Sequence, residues 1–276
     1  MTPSSIPPDA DADTDVAVEA RPDAPAPADD GDGLPLFYTR PRVLQPGLHG
    51  RLSISAQAGY RHAAGTNAVP LVAQELPVAC RHFPIVFSEG GSSPHPMAVL
   101  GLQAGRNAFV DDEGHWRDGA YIPAYVRRYP FIFLENEARS ELTLCIDEAA
   151  PQLVEGRANP LFDEAGKPTA LTQGALTFCR DYQAQHLATL AFGAALEAAD
   201  LLVENRADVT LPSGQRMSLS GFRVIDEARF EQLPETELRR WREQGWVKLV
   251  YAHFISIGGW SDLLDRERGV VGKTGI

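Results

Sequence analysis

The sequence predicts an α+β fold of mostly antiparallel sheet, and three observations carry that expectation. One stretch occurs twice, as PVACRHFPIVF over residues 77–87 and PAYVRRYPFIF over 123–133. A long run from Leu171 to about Leu202 has the three- and four-residue apolar spacing of a helix. The last third holds a hairpin signal and a final apolar helix. Together they describe a degenerate duplicated helix-strand-strand unit, packed by a long helix and by a buried C-terminal helix.

The repeated stretch has a physical reading. In each copy a short helical turn meets a proline, Pro84 or Pro130, which lacks a donor and pushes the residue before it out of the α region. The chain must leave the helix at Phe83 and at Tyr129. The next three residues, Ile85-Val86-Phe87 and Phe131-Ile132-Phe133, are β-branched and aromatic, as a buried strand requires. Second apolar runs come at Met97–Leu102 and Leu142–Ile146. Phe109 and Phe162 then precede acids and a turn glycine, Gly114 or Gly166. The offset between copies is 46 residues at the first proline (123 − 77) and 52 at the glycine (166 − 114), so the second copy holds a small insertion.

The other elements can be taken in chain order. Residues 1–33 carry nine acids, one Arg and almost no large apolar side chain, and read as a disordered acidic tail. A single globular domain is expected over 34–265, with a frayed end at 266–276. Leu36–Pro41 reads as a short strand stopped by its proline, and Arg51–Ser55 as a second strand. Leu71–Cys80 reads as weakly helical, kinked at Pro77. Gln103–Arg106 reads as a turn between antiparallel strands. On the long helix, Leu176, Cys179, Tyr182, His186, Leu190 and Ala194 share one face, which makes His186 a core histidine. Val209–Leu211 and Met217–Leu219 flank a Pro-Ser-Gly turn, and Phe222–Ile225 reads as a further strand. A helix should start at Pro234-Glu235. Another, from Trp246 to Ile257, is apolar almost all round and should end at Gly258-Gly259.

Net charge is −12 over 276 residues, and the tail supplies −8 of it, so the folded part is close to balanced. Without a basic patch, nucleic acid is not an expected partner. The three cysteines, Cys80, Cys145 and Cys179, form no Cys-x-x-Cys pair and read as buried free thiols. No cleavable leader is visible, and no apolar run reaches the roughly 20 residues of a membrane span. A cytoplasmic location is the expectation from residues alone.

Familiar chemistry is missing. Gly272-Lys273-Thr274 resembles the end of a phosphate-binding loop, but Glu267 stands where that loop needs its first glycine. There is no Gly-x-Gly-x-x-Gly, Gly-x-Ser-x-Gly or His-Glu-x-x-His. No cofactor or metal is expected. Three strand-end acid pairs recur, at Asp112-Glu113, Asp147-Glu148 and Asp226-Glu227; each either joins a site or caps the next turn. Tyr121, Tyr125, Arg127, Arg128 and Tyr129 form the densest polar-aromatic cluster. It reads as an anion clamp or as a half-buried helix face whose arginines pair with those acids. His253, between Trp246 and Trp260, marks a second candidate pocket or a core histidine.

Several of these segments resemble the SapC-like family of bacterial proteins. They are Leu36–Tyr38, Phe83–Phe87, Tyr121–Phe131, Cys145–Glu148, Pro160–Glu164, Gly221–Asp226 and Tyr251–His253. The resemblance spans about residues 34–265. It implies a link to a bacterial surface layer, hence a cell-surface alternative for location, and brings no catalytic residues.

Two functions are therefore expected. The first is a non-catalytic binding or assembly protein with a protein partner, with the surface layer as its implied setting. The second is an enzyme or small-molecule binder using Tyr125, Arg127, Arg128, Asp147 and His253. In it an arginine clamps an anion, Asp147 acts as base and Tyr125 as donor. The sequence gives no oligomeric state.

Overall fold

A computed structural model describes residues 19–20, 34–55, 59–89, 93–135, 142–210 and 216–267. The first-copy unit comprises α2 (Leu76–Ala79), β5 (Ile85–Ser88) and β6 (Pro96–Val99). The second comprises α3 (Ala124–Arg128), β7 (Phe131–Glu135) and β8 (Leu142–Asp147). Each proline lies between helix and strand and opens the hairpin: Val99 N–H donates to the Pro84 carbonyl at 2.9 Å, and Asp147 N–H to the Pro130 carbonyl at 3.0 Å.

The likeness extends upstream of the recognisable repeat. β4 (Ala68–Pro70) adds to β6 antiparallel, and β2 (Pro41–Val43) adds to β8 in the same way. Leu100 N–H reaches the Asn67 carbonyl at 2.7 Å, and Glu148 N–H the Arg40 carbonyl at 3.0 Å. A helical turn comes after each added strand. It is 3₁₀ over Ala73–Glu75 in one copy, and α1 (Pro46–His49) in the other. The two turns capping the units also match. Asp111 and Asp163 each accept the N–H four residues on through Oδ1, at 2.7 and 2.8 Å, and each turn bends at a glycine of positive φ, Gly114 or Gly166. The first copy is contiguous; the second has its leading strand β2 placed before the whole of the first.

Sheet order is β11-β5-β6-β4, with β10 (Leu202–Thr210) on the other side of β11 (Arg216–Ile225) and the two-residue strand Glu19–Ala20 (β1) parallel to Ser218–Leu219. A three-stranded sheet runs β2-β8-β7, and β3 (Leu52–Ile54) pairs with β9 (Leu153–Glu155). Helix α4 (Ala170–Ala198) is capped by Thr169 and lies against α3 and β7. α5 (Glu227–Glu231) and α6 (Glu235–Glu243) lead to α7 (Val247–Ile257) and α8 (Gly259–Glu267). α7 packs on α2, β5 and β11, closing a core around Phe83, Phe87, Phe109, Phe192 and Trp241. Ser256 of α7 accepts the first strand N–H of β5, from Ile85, at 3.1 Å. Gly259 lets α8 start directly on the Phe83–Pro84 peptide, 3.3 Å from the Pro84 nitrogen to the position of an added Cβ.

Several expectations need correction. Leu36–Arg40 is a turn with Phe37 at φ 80, and the strand begins at Pro41; the Thr39 and Arg40 N–H groups bond the Asp147 carboxylate instead of a ladder. Pro77 starts α2 rather than kinking a longer helix, since the first turn needs no donor from it. Gln103–Arg106 is a turn but does not join two strands; Val110 bridges Trp116 instead. Phe222–Ile225 continues β11 past Gly221 (φ 85), with a bulge opposite at Asn205/Ala207. The buried face of α4 drifts to Thr189, Phe192, Gly193 and Leu196, leaving Ala194 exposed. α7 buries one face and leaves Tyr251 and Ile255 54% and 65% exposed, Tyr251 resting at the edge of Phe230. Gly258 ends α7, yet α8 resumes at once and holds Arg266 and Glu267 in its last turn. The expected tail lies outside the described residues except at Glu19–Ala20, and so does 268–276.

Candidate functional site

Helix α3 points two consecutive arginines about 100° apart, and they reach different rings of α4, Phe178 and Tyr182. Arg127 faces outward into a cleft of about 310 Å³ between α2, α3 and α4. Its Nε donates to the Ile122 carbonyl at 2.9 Å and Nη2 to the Tyr121 hydroxyl at 3.3 Å. Its guanidinium lies 5.3 Å from the Phe178 ring and 5.8 Å from that of Tyr121. Gln74, Asp181 and Gln185 complete the polar wall.

Glu75 closes the floor of this cleft. It is buried, and its oxygens accept from Val72 N–H at 2.9 Å, Ala124 N–H at 2.7 Å and Tyr121 Oη at 2.8 Å. Burial raises its pKa, opposed by the two backbone donors, the phenol and Arg127. Tyr121 is pushed up to about 12 by burial and by the Glu75 charge. The carboxylate thus ties the first copy's helical turn to the N-terminus of α3.

Arg128 faces inward. Its guanidinium lies 4.5 Å from the Tyr182 ring, 4.6 Å from Tyr125 and 5.6 Å from Tyr38. Its Nε is buried with no hydrogen-bond partner among the described residues. Burial raises the pKa of all three phenols, and that of the Cys179 thiol to about 11. They stay neutral, so Arg128 is held by ring faces rather than by an anion.

A family model, SapC, matches residues 44–263. The chain belongs to the SapC family. No curated protein and no solved structure matches it. The match covers the first copy, the second copy apart from its leading strand β2, and α4 to α7, so the cleft lies inside the SapC-family region, as does the arginine cage except for Tyr38.

The five residues singled out from the sequence do not share one cavity in this SapC-family chain. Tyr125 and Arg128 are in contact, and a path of rings leads on from Arg128 through Tyr38 to Tyr129, whose hydroxyl donates to Asp147 at 3.3 Å. Asp147 is fully buried and also takes the N–H groups of Thr39, Arg40 and Ala149 at 3.0, 2.9 and 3.0 Å. A carboxylate held by these four donors braces the Thr39–Arg40 loop. Arg127 faces the separate cleft. His253 lies in the main core, accepting the Ile225 N–H at 3.1 Å with the Phe87 ring 5.4 Å away. Burial lowers it to about 4, so it is neutral at pH 7.

Sequence reasoning missed Glu75, Gln74, Asp181 and Gln185. Glu75 carried no clear signal: its carboxylate reaches back to the Val72 N–H, but valine offers no side-chain acceptor, so the Ser/Thr-x-x-Glu pattern of a capping box is absent. The others sit on exposed helix faces, where polar residues are the rule.

Proposed function

We propose that this SapC-family chain is a non-catalytic binding or assembly protein, and that the Arg127 cleft receives its partner. One observation carries this reading: Glu75, the buried carboxylate of the cleft, has its oxygens committed to Val72, Ala124 and Tyr121. With the acid so used, the cleft offers recognition groups: a guanidinium, two amides and the exposed Asp181 carboxylate. A protein partner fits this mixture of aromatic faces and charges, and a surface-layer component is the partner that the resemblance implies. Among the described residues no helix is long and apolar enough to cross a membrane. The cysteines are buried and free, which fits a reducing compartment.

The test is a charge reversal. Wild type, Arg127→Glu, Asp181→Arg and a distant control, Glu155→Arg, are expressed at native level and their co-purifying proteins quantified. A partner lost about tenfold with both cleft variants and retained by the control is the expected result. Identical profiles for all four chains sink the proposal.

A further inference from the structure

A second cleft, of about 350 Å³, lies on the far side of the first copy and shares no residue with the Arg127 cleft. Three arginines line it from three separate elements. Arg61 comes from the 3₁₀ turn Arg61–Ala63, Arg106 from the turn after β6, and Arg266 from the last turn of α8. Asn107, Asp111 and Asp112 are the other polar groups in its wall.

Arg266 is the unusual member. Its guanidinium stacks at 5.0 Å over the buried ring of Phe109. Nε and Nη1 are shut off from solvent and have no hydrogen-bond partner among the described residues. Burial lowers its pKa, and the neighbouring charge of Arg117 lowers it further, against a weaker pull from Asp262. On this half-buried side chain, donors shut off from solvent and left unmet cost stability unless an acceptor arrives. Arg106 is held in place nearby, 3.5 Å from Glu267, whose other oxygen accepts Leu102 N–H at 3.1 Å. The Asp111 carboxylate is turned back into its own loop, taking His115 N–H at 2.7 Å, so it does not answer Arg266.

We propose that this cleft is a phosphate-binding site, taking the phosphate group of a small molecule between Arg61, Arg106 and Arg266. Three arginines set around one cleft by three separate elements suit a tetrahedral oxyanion, which presents acceptors on every side. A carboxylate, planar and with two oxygens, uses fewer of them. Asp112 at the rim works against a highly charged ligand and leaves room for a monoester.

The probe is inorganic phosphate, titrated into the full chain with sodium chloride holding ionic strength constant. Arginine Nε–H signals are followed by NMR and unfolding by calorimetry. Saturable shifts at Arg266 and Arg61 and a rise in Tm are expected. Arg61→Gln, at the exposed rim, and Arg266→Gln should each weaken binding by about tenfold or more. Arg157→Gln, whose partner Glu164 is elsewhere on the surface, should leave it unchanged. No saturable response, equal binding in Arg61→Gln and wild type, or acetate binding as tightly as phosphate overturns the assignment. None of these results depends on the Arg127 cleft, so the two proposals fail separately.

Discussion

The two copies share a backbone plan and differ in what they bury. With the helices aligned at 46 residues, Ala79 corresponds to Tyr125, His82 to Arg128 and Phe83 to Tyr129. In the paired strands Val99 corresponds to Asp147, since both donate to the carbonyl of their copy's proline. At these four positions the first copy has only Ala79, His82, Phe83 and Val99, and β5 and β6 are buried throughout, in the middle of the large sheet under α7, although its helical turn buries Glu75. The second copy inserts phenols, a guanidinium and a carboxylate at equivalent places. One scaffold was therefore kept for packing in one place and opened to polar chemistry in the other. The difference teaches that the helix-proline-strand junction tolerates either filling: Asp147 is met by four donors, and Arg128 by ring faces with its Nε left unbonded among the described residues.

Exchanging the corresponding residues breaks this comparison most sharply. Val99→Asp puts a carboxylate into a site built for hydrocarbon and should cost about 4 kcal/mol or more, measured by urea unfolding. A loss under ~1 kcal/mol would mean that the first copy can already satisfy an acid there, and the contrast would disappear.

Acid acts on the two copies at different histidines. Burial lowers His253, beneath the first, to about 4, and His62, stacked 4.4 Å from the Tyr129 ring of the second, to about 4. For each, the unfolded chain binds a proton at about 6.5 and the folded chain does so only near 4. Stability from each is therefore full above pH 6.5 and falls as pH drops towards 4, by on the order of 3 kcal/mol per histidine. Unfolding free energy measured across that range should show this slope. His253→Gln should remove its part and leave that of His62.

The reciprocal exchange, Asp147→Val, should be milder. It strands the part-buried Thr39, Arg40 and Ala149 N–H groups and the Tyr129 hydroxyl, at a cost of about 3 kcal/mol. Hydrogen exchange at those three amides should rise in the variant. Smallest is the pair of turn glycines. Gly166→Ala forces φ 75 on an L residue and should lower stability by about 1 kcal/mol. Gly114→Ala should cost more, because an added Cβ would also come within 3.1 Å of Arg61 Cβ.

Much of this architecture is legible in the sequence because it is written in backbone chemistry. Pro84 and Pro130 force the same exit from a helix wherever they stand, and Asp-x-x-Gly closes the same turn twice. The upstream strands β2 and β4 escape such reading. Three residues each, with Arg42 and Pro70 among them, they carry no alternation, and only the acceptors on Asn67 and Arg40 reveal the match. The site is less legible still. Tyr125, Arg127 and Arg128 stand out as a cluster, but which arginine faces in depends on the one-residue phase of a five-residue helix. Asp147 looks like a free strand-end acid until the Thr39–Arg40 loop, more than a hundred positions earlier, is seen to need its oxygens. His253 has its histidine type explained by a single distant N–H, that of Ile225.

The interleaving of the copies also has a consequence for biosynthesis. β2 is complete at Val43, and its partner β8 does not begin until Leu142. As the polypeptide leaves the ribosome, the first copy has its own strands in hand by Val99 and can close, while β2 waits with an unpaired edge. Nascent chains arrested once β6 has cleared the ribosome should already protect Ile85–Ser88 and Pro96–Val99 from protease and leave the segment around Val43 open to cleavage. A chaperone that shields extended edges would be drawn to that waiting strand.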